Sequence, residues 1–205
     1  MTEREAARLF ELTRHEDAFW KAGRTVAGMD EVGRGPLAGP VVAACVVLPK
    51  DPLIEGVNDS KKLTEKKRER LYERIASLGR FGVGVVDWSV IDEVNILQAT
   101  KLAFKAAYEN LAAKVEALIV DAVKGLDVPA EQLPLIHGDA VSYLVAAASI
   151  VAKVTRDRMM VEYDRLYPQY GFARNKGYGT AEHIEAIRQY GPCPIHRMSF
   201  IRKWI

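Results

Sequence analysis

Cysteine is scarce in this chain, with two in 205 residues. Cys45 lies inside an apolar run and reads as a small buried hydrophobe. Two cysteines cannot build a disulfide scaffold, and nothing requires Cys45 and Cys193 to pair. Histidine is also sparse, at four, and no Cys/His spacing suits a zinc site. No apolar run approaches a membrane span. The charged amino terminus carries no apolar leader pattern, so the expectation is a reduced, cytoplasmic protein. Internal repeats and low-complexity stretches are absent. The net charge of +2 is too small to argue for nucleic acid by itself.

What is present suits a globular chain with a real core. Apolar residues make up 49% and charged residues 27%, and the length fits one large domain or one domain with a small appendage. The basic excess is local. Residues 61–74 hold seven Lys/Arg against three Glu, and residues 153–205 hold ten against five acids. Phosphate could bind at such blocks.

Periodicity predicts a short amino-terminal helical extension over residues 1–24, with one helix spanning 3–22, and a main domain over 25–205. Strands are expected at 25–30, 41–48, 81–87, 117–121 and 133–139. The run "VVAACVVL" is almost wholly apolar, so both its faces should be covered. Thr64 should cap a helix that Gly79 ends. A helix over 90–113 should bury Ile91, Val94, Leu97, Leu102 and Leu111. Further helices are expected over 141–165 and 180–190. Strands interleaved with helices imply an α/β fold with a mixed central sheet flanked by helices and a helical carboxy-terminal region.

Three predicted strands run apolar and then stop on an acid: "VAGMD" at Asp30, "ALIVD" at Asp121 and "LIHGD" at Asp139. Glu31 adds a fourth carboxylate. An aspartate after a strand is also an ordinary turn or capping residue. Three together, with a glycine-rich turn after the first, favour a site. Converging carboxylates repel, and a hard divalent cation relieves them, so Mg²⁺ or Mn²⁺ is expected.

The apolar stretch 143–157 is interrupted by Ser149, Lys153 and Arg156, one stripe at helical spacing. Pattern alone aims such a stripe at solvent. The functional reading points it at the acids or at phosphate. In "NDSKK", Asn58, Ser60, Lys61 and Lys62 could donate to phosphate oxygens. Lys62, Lys66, Arg70 and Arg74 recur every four residues, most simply as a solvated helix face. In "NKGYGT", Tyr178 between two glycines could stack on a base or sugar, or pack in a plain turn.

The motifs "MDEVGRGPLAGPVVAA", "NDSKKL", "ASIVAKVTRD", "YPQYGF", "NKGYGT" and "HRMSF" together resemble bacterial ribonuclease HII, in order across residues 25–200. The resemblance implies an RNase H-like fold and a metal-dependent endonuclease that cuts RNA within RNA–DNA hybrids. It implies incision 5′ of single ribonucleotides in duplex DNA, as in ribonucleotide excision repair and primer removal. It implies two Mn²⁺ or Mg²⁺ ions held by Asp30, Glu31, Asp121 and Asp139. Gly33, Arg34 and Gly35 match the loop that reads the ribose 2′-hydroxyl, and Tyr178 matches the tyrosine beside that sugar. Lys61, Lys62, Ser149, Lys153 and Arg156 are candidates for the substrate backbone. No protein partner is indicated, and a monomer suffices.

Three departures stand out: Ala122 where the family often has glycine, Gly179 where it usually has proline, and an unfamiliar linker after Asp121. Gly179 is expected to loosen the Tyr178 loop. Two rivals are a ribonuclease HIII-like enzyme limited to hybrids and a silent nucleic-acid-binding module. The roughly 24 residues before the first motif are fewer than the first would need, and the four acids weigh against the second. His137 and His196 read as structural.

Overall fold

The computed structural model describes residues 1–205. The expected amino-terminal helix is two, α1 (Glu3–Leu12) and α2 (Arg14–Lys21), broken at Thr13, whose hydroxyl donates to the Phe10 carbonyl. Strand β1 (Val26–Val32) and strand β2 (Val41–Val47) follow. Helix α3 (Glu65–Leu78) leads to strand β3 (Arg80–Val86). Next come α4 (Trp88–Val94), α5 (Ile96–Glu109), β4 (Ala117–Asp121) and β5 (Glu131–Leu135). The chain closes with α6 (Gly138–Val141), α7 (Tyr143–Leu166), α8 (Phe172–Asn175), α9 (Ala181–Tyr190) and α10 (Met198–Ile201).

The five strands form one mixed sheet in the order β3-β2-β1-β4-β5. The central strand β1 pairs antiparallel with β2 and parallel with β4. Pro134 lacks an N–H and sits in the edge strand β5, where no further ladder is needed. Alternation sorts the strand residues between two covered faces. Val26, Ala44, Val46 and Ile119 meet α7, while Met29, Ala43, Cys45 and Leu118 join the cluster around α5. Both cysteines are free and buried.

Close approach explains where the predicted buried faces failed. The expected 90–113 helix breaks at Asn95, which adopts φ 70° and caps α5 through its side chain. Helix α5 then buries Ala99, Ala103, Phe104 and Ala107, while Leu97 and Leu102 are exposed. A Cβ at Gly84 would lie 1.9 Å from the Ala103 carbonyl oxygen. Glycine facing alanine allows that packing, and Leu97 and Leu102 turn outward while Phe104 packs beside the contact. Gly28 does the same for α7, since a Cβ there would lie 2.1 Å from the Leu144 carbonyl carbon.

Residues 1–24 pack into the main core. Leu9 and Leu12 belong to the cluster under α7. The fully buried Glu16 accepts hydrogen bonds from the Ser142 hydroxyl at 2.5 Å and the Leu144 amide at 2.9 Å, at the start of that helix. The helices after α7 enclose a third cluster of Leu37, Met160, Tyr170, Phe172, Ile187 and Ile201.

Candidate active site

Sheet register brings two of the four acids together. Met29 pairs with Val120 across the parallel β1–β4 ladder. One residue further on, Asp30 lies beside Asp121, and alternation aims both toward the α7 side. Two details differ from the sequence reading. Asp30 lies inside β1, paired with Ala44, because the strand continues to Val32. Strand β5 stops at Leu135, so Asp139 stands on α6 after a left-handed turn at His137 (φ 56°). The Gly138 amide donates to Asp121 Oδ1 at 2.6 Å and ties that turn to the strand.

The acids act on one another. Burial pushes the Asp30 carboxyl well above its usual range, and the charges of Glu31, Asp121 and Asp139 push it further. Burial also raises Glu31, as does the charge of Asp121. Asp121 is raised by burial, against the Gly138 amide, and by the charge of Asp139. Partners are few. Asp30 Oδ1 accepts the Glu31 amide at 2.8 Å, Arg34 stands 3.4 Å from Glu31, and Lys61 Nζ donates to Asp139 at 3.1 Å.

This donor set fits a hard divalent cation. Glu31 Oε2 is buried with no hydrogen-bond partner, and an orphaned carboxylate oxygen in an acidic cluster needs a cation. No three acid, histidine or cysteine side chains are closed to ligating distance.

Ala122 explains one departure. It adopts φ 48°, a left-handed conformation that favours glycine. Glycine is thus the unstrained residue after Asp121, and alanine holds the turn under strain.

The polar stripe of α7 goes to neither expected place. Ser149, 3% exposed, accepts the Ser60 amide at 3.2 Å and so anchors the "NDSKK" turn from behind. Lys153 is paired with Asp157 at 2.7 Å. Arg156 is fully buried, so a direct phosphate contact gives way to three backbone carbonyls: Pro40, Lys176 and Ala38. In the turn itself, Asn58 accepts the Asp59 amide and Ser60 is buried. Lys61 is exposed beside Asp139, whereas Lys62 is exposed at 4.0 Å from Asp59, an acid of its own turn.

Gly33, Arg34 and Gly35 form the turn after β1. A Cβ at Gly33 (φ 95°) would lie 2.4 Å from Arg156 Nε, so glycine is required there. The Tyr178 ring stands against Gly35, 3.8 Å from where a Cβ would be. Tyr178 is 43% exposed, which leaves its ring available to a ligand. Its backbone is held on both sides: the amide donates to the Asn175 carbonyl, and its carbonyl accepts from Thr180.

Of the residues behind this wall, His196 was expected to be structural, while Arg197 and His183 were not singled out. Arg197 is fully buried and donates to the carbonyls of Gly33, Arg34 and Gly39. His183 Nδ1 lies 2.9 Å from the Tyr178 carbonyl, and its Nε2 lies 3.0 Å from His196 Nε2. His196 Nδ1 in turn accepts the Cys193 amide. That acceptor fixes the chain: His196 donates to His183, which donates to Tyr178. Burial lowers both imidazoles, and beside His183 the His196 ring falls to about 4. In the sequence His196 and Arg197 stand within "HRMSF", whereas His183 lies outside every motif.

A family model described as Ribonuclease HII matches residues 27–203. The Ribonuclease HII of Caldanaerobacter subterraneus subsp. tengcongensis is 55% identical over 203 residues, covering 98% of this chain and 84% of that protein. That of Acetivibrio thermocellus is 54% identical over 206 residues, covering 99% and 80%. The crystal structure of the ribonuclease H2 from Pyrococcus horikoshii OT3 superposes with a TM-score of 0.74 at 32% identity, over 88% of this chain and 96% of that one. Bst-RNase HIII in complex with Mn²⁺, at 22% identity and a TM-score of 0.68, over 91% of this chain and 66% of that one, shares the fold alone. The chain belongs to the ribonuclease HII family, hydrolases that cleave RNA in RNA–DNA hybrids.

Proposed function

We propose that this enzyme is a divalent-cation-dependent endonuclease that also incises duplex DNA on the 5′ side of a single embedded ribonucleotide, the opening step of ribonucleotide removal. The observation that carries the reading is the under-compensated acid cluster, with Glu31 Oε2 buried and unpartnered. Asp30, Glu31, Asp121 and Asp139 would hold two Mg²⁺ or Mn²⁺ ions. Bound there, the ions supply a nucleophilic water at neutral pH and offset charge on the phosphate.

The chain's own groups do the rest. Lys61 and Lys62 attract the scissile strand. The Gly33–Arg34–Gly35 backbone meets the ribose, and the Tyr178 ring packs on that sugar. A 2′-hydroxyl is the group that separates ribonucleotide from deoxyribonucleotide, so discrimination belongs to this wall. Cleavage in this mode would leave 3′-hydroxyl and 5′-phosphate ends. Two free buried thiols suit a reducing compartment such as the cytoplasm.

The test is incision of a duplex carrying one ribonucleotide, run with Mg²⁺ and with Mn²⁺. The wild type is expected to cut 5′ of the ribonucleotide with either ion or both, and Asp30→Asn is expected to lose on the order of 10³-fold in rate, about 4 kcal/mol of barrier. Full activity of Asp30→Asn, or undiminished cutting in EDTA, refutes the site.

A further inference from the structure

Arg156 and Arg197 lie wholly buried beneath the loop that follows β1, and no carboxylate pairs with either. Together they bond six carbonyl oxygens, five of them from residues 33–40. The Leu37 carbonyl is taken as well, by the Arg197 amide at 2.8 Å. Burial lowers both guanidinium groups, Arg156 to about 10 and Arg197 to about 9, so both stay charged at neutral pH.

A trans peptide points its carbonyl and its N–H in opposite directions. Arg197 Nη2 draws in the Gly33 oxygen at 2.6 Å, and Nη1 draws in the Arg34 oxygen at 3.1 Å. The N–H groups of those two peptide units belong to Arg34 and Gly35. They must then face away from the buried cation. Both residues are exposed, and neither amide donates to any group within the chain. Two adjacent outward N–H groups beside the Tyr178 ring make a paired donor for one oxygen acceptor.

We propose that Arg197 is a positioning residue that sets the polarity of the ribose-reading loop: by holding the Gly33 and Arg34 carbonyls inward, it presents the Arg34 and Gly35 amides as donors to the 2′-oxygen. Arg156 fixes the far half of the same loop and the Lys176 end of the tyrosine turn. This rests on the reading that the Gly33–Arg34–Gly35 turn meets the ribose. Lysine cannot replace Arg197, because one ammonium does not span three carbonyls in a plane.

The test uses the full ¹⁵N-labelled chain without divalent ion. It is titrated with a single-ribonucleotide duplex and with the matched all-DNA duplex. In the wild type, the Arg34 and Gly35 amide resonances are expected to shift with the first duplex only. In Arg197→Lys those shifts should vanish, and KM for the ribonucleotide duplex should rise about tenfold with kcat within about threefold. A merely structural loss would instead lower the active fraction on every substrate alike. If Arg197→Lys does not fold, Arg197→Gln, whose planar amide keeps two donors, is read in the same way. A folded variant with unchanged amide shifts and KM overturns the proposal. Wild-type amides that ignore both duplexes overturn the reading of the turn itself, and the proposal with it.

Discussion

The floor and the wall of the site both bury charge, and they treat it in opposite ways. On the floor, Asp30, Glu31 and Asp121 are crowded, raised in pKa and short of donors. In the wall, Arg156 and Arg197 are more deeply buried, yet they are ringed by carbonyls. Buried charge is tolerable only when it is compensated. The wall is compensated by its own backbone and is finished on folding. The floor is left under-compensated, with Glu31 Oε2 buried and unpartnered, which is the state the proposed cations would relieve.

Asp30→Asn probes this contrast most strongly. Incision should fall on the order of 10³-fold while the metal-free protein becomes more stable. The sign follows from linkage. Asp30 has a folded pKa above its unfolded value, so its contribution is favourable at low pH and is lost as pH rises through the folded pKa. At neutral pH the raised value therefore costs the fold stability, and asparagine, which carries no charge to bury, should make the metal-free chain more stable. Saturating divalent ion should erase that advantage by stabilising only the wild type. A metal-free Asp30→Asn chain less stable than wild type would mean that the floor is compensated after all.

His196 gives an effect of the opposite pH sign. Its folded value of about 4 lies below the ordinary 6.5. The unfolded chain takes up a proton first, so stability is full above pH 6.5 and falls as pH drops toward 4, by at most on the order of 3 kcal/mol. His183 faces it at 3.0 Å, and Cys193, Tyr170 and Phe172 complete its surroundings. Urea unfolding at a series of pH values should show a shallower acid slope for His196→Gln than for wild type. Equal slopes would mean that the pair is not held neutral in the fold.

The smallest expected change is a gain. Ala122→Gly should relieve the left-handed strain at φ 48° and stabilise by about 0.5–1 kcal/mol after the extra entropy of glycine. Thermal unfolding reads it directly, and a loss of stability would show that the turn is not strained.

The elements that carry the floor were legible in the sequence. The apolar runs of β1, β2 and β4, richest in β-branched residues in β2, mark strands that suit a sheet covered on both faces. The four acids could be picked out because charge after an apolar run stands against its surroundings. The wall was not legible, because its geometry depends on long-range partners. A stripe of Ser149, Lys153 and Arg156 looks the same whether it meets water or backbone carbonyls. Nothing local says that Arg197 reaches back to Gly33. The face of α5 was misjudged for a related reason. Side-chain size suggested leucines inward, whereas the glycines of β3 set how near the helix could come.

Gly28 has a further consequence. It lies two residues before Asp30, and its missing side chain is what lets the backbone of α7 rest directly on β1. That helix carries Arg156 and anchors the Ser60 turn through Ser149. A single hydrogen atom thus serves as the shim that indexes one half of the enzyme against the other. Where most proteins set such a distance with interlocking side chains, which can repack, here two backbones touch and there is nothing to adjust. A methyl group at this point would change the spacing between the strand that carries Asp30 and the helix whose Arg156 holds the loop after that strand, without altering a residue of the acid cluster or the Gly33–Gly35 turn.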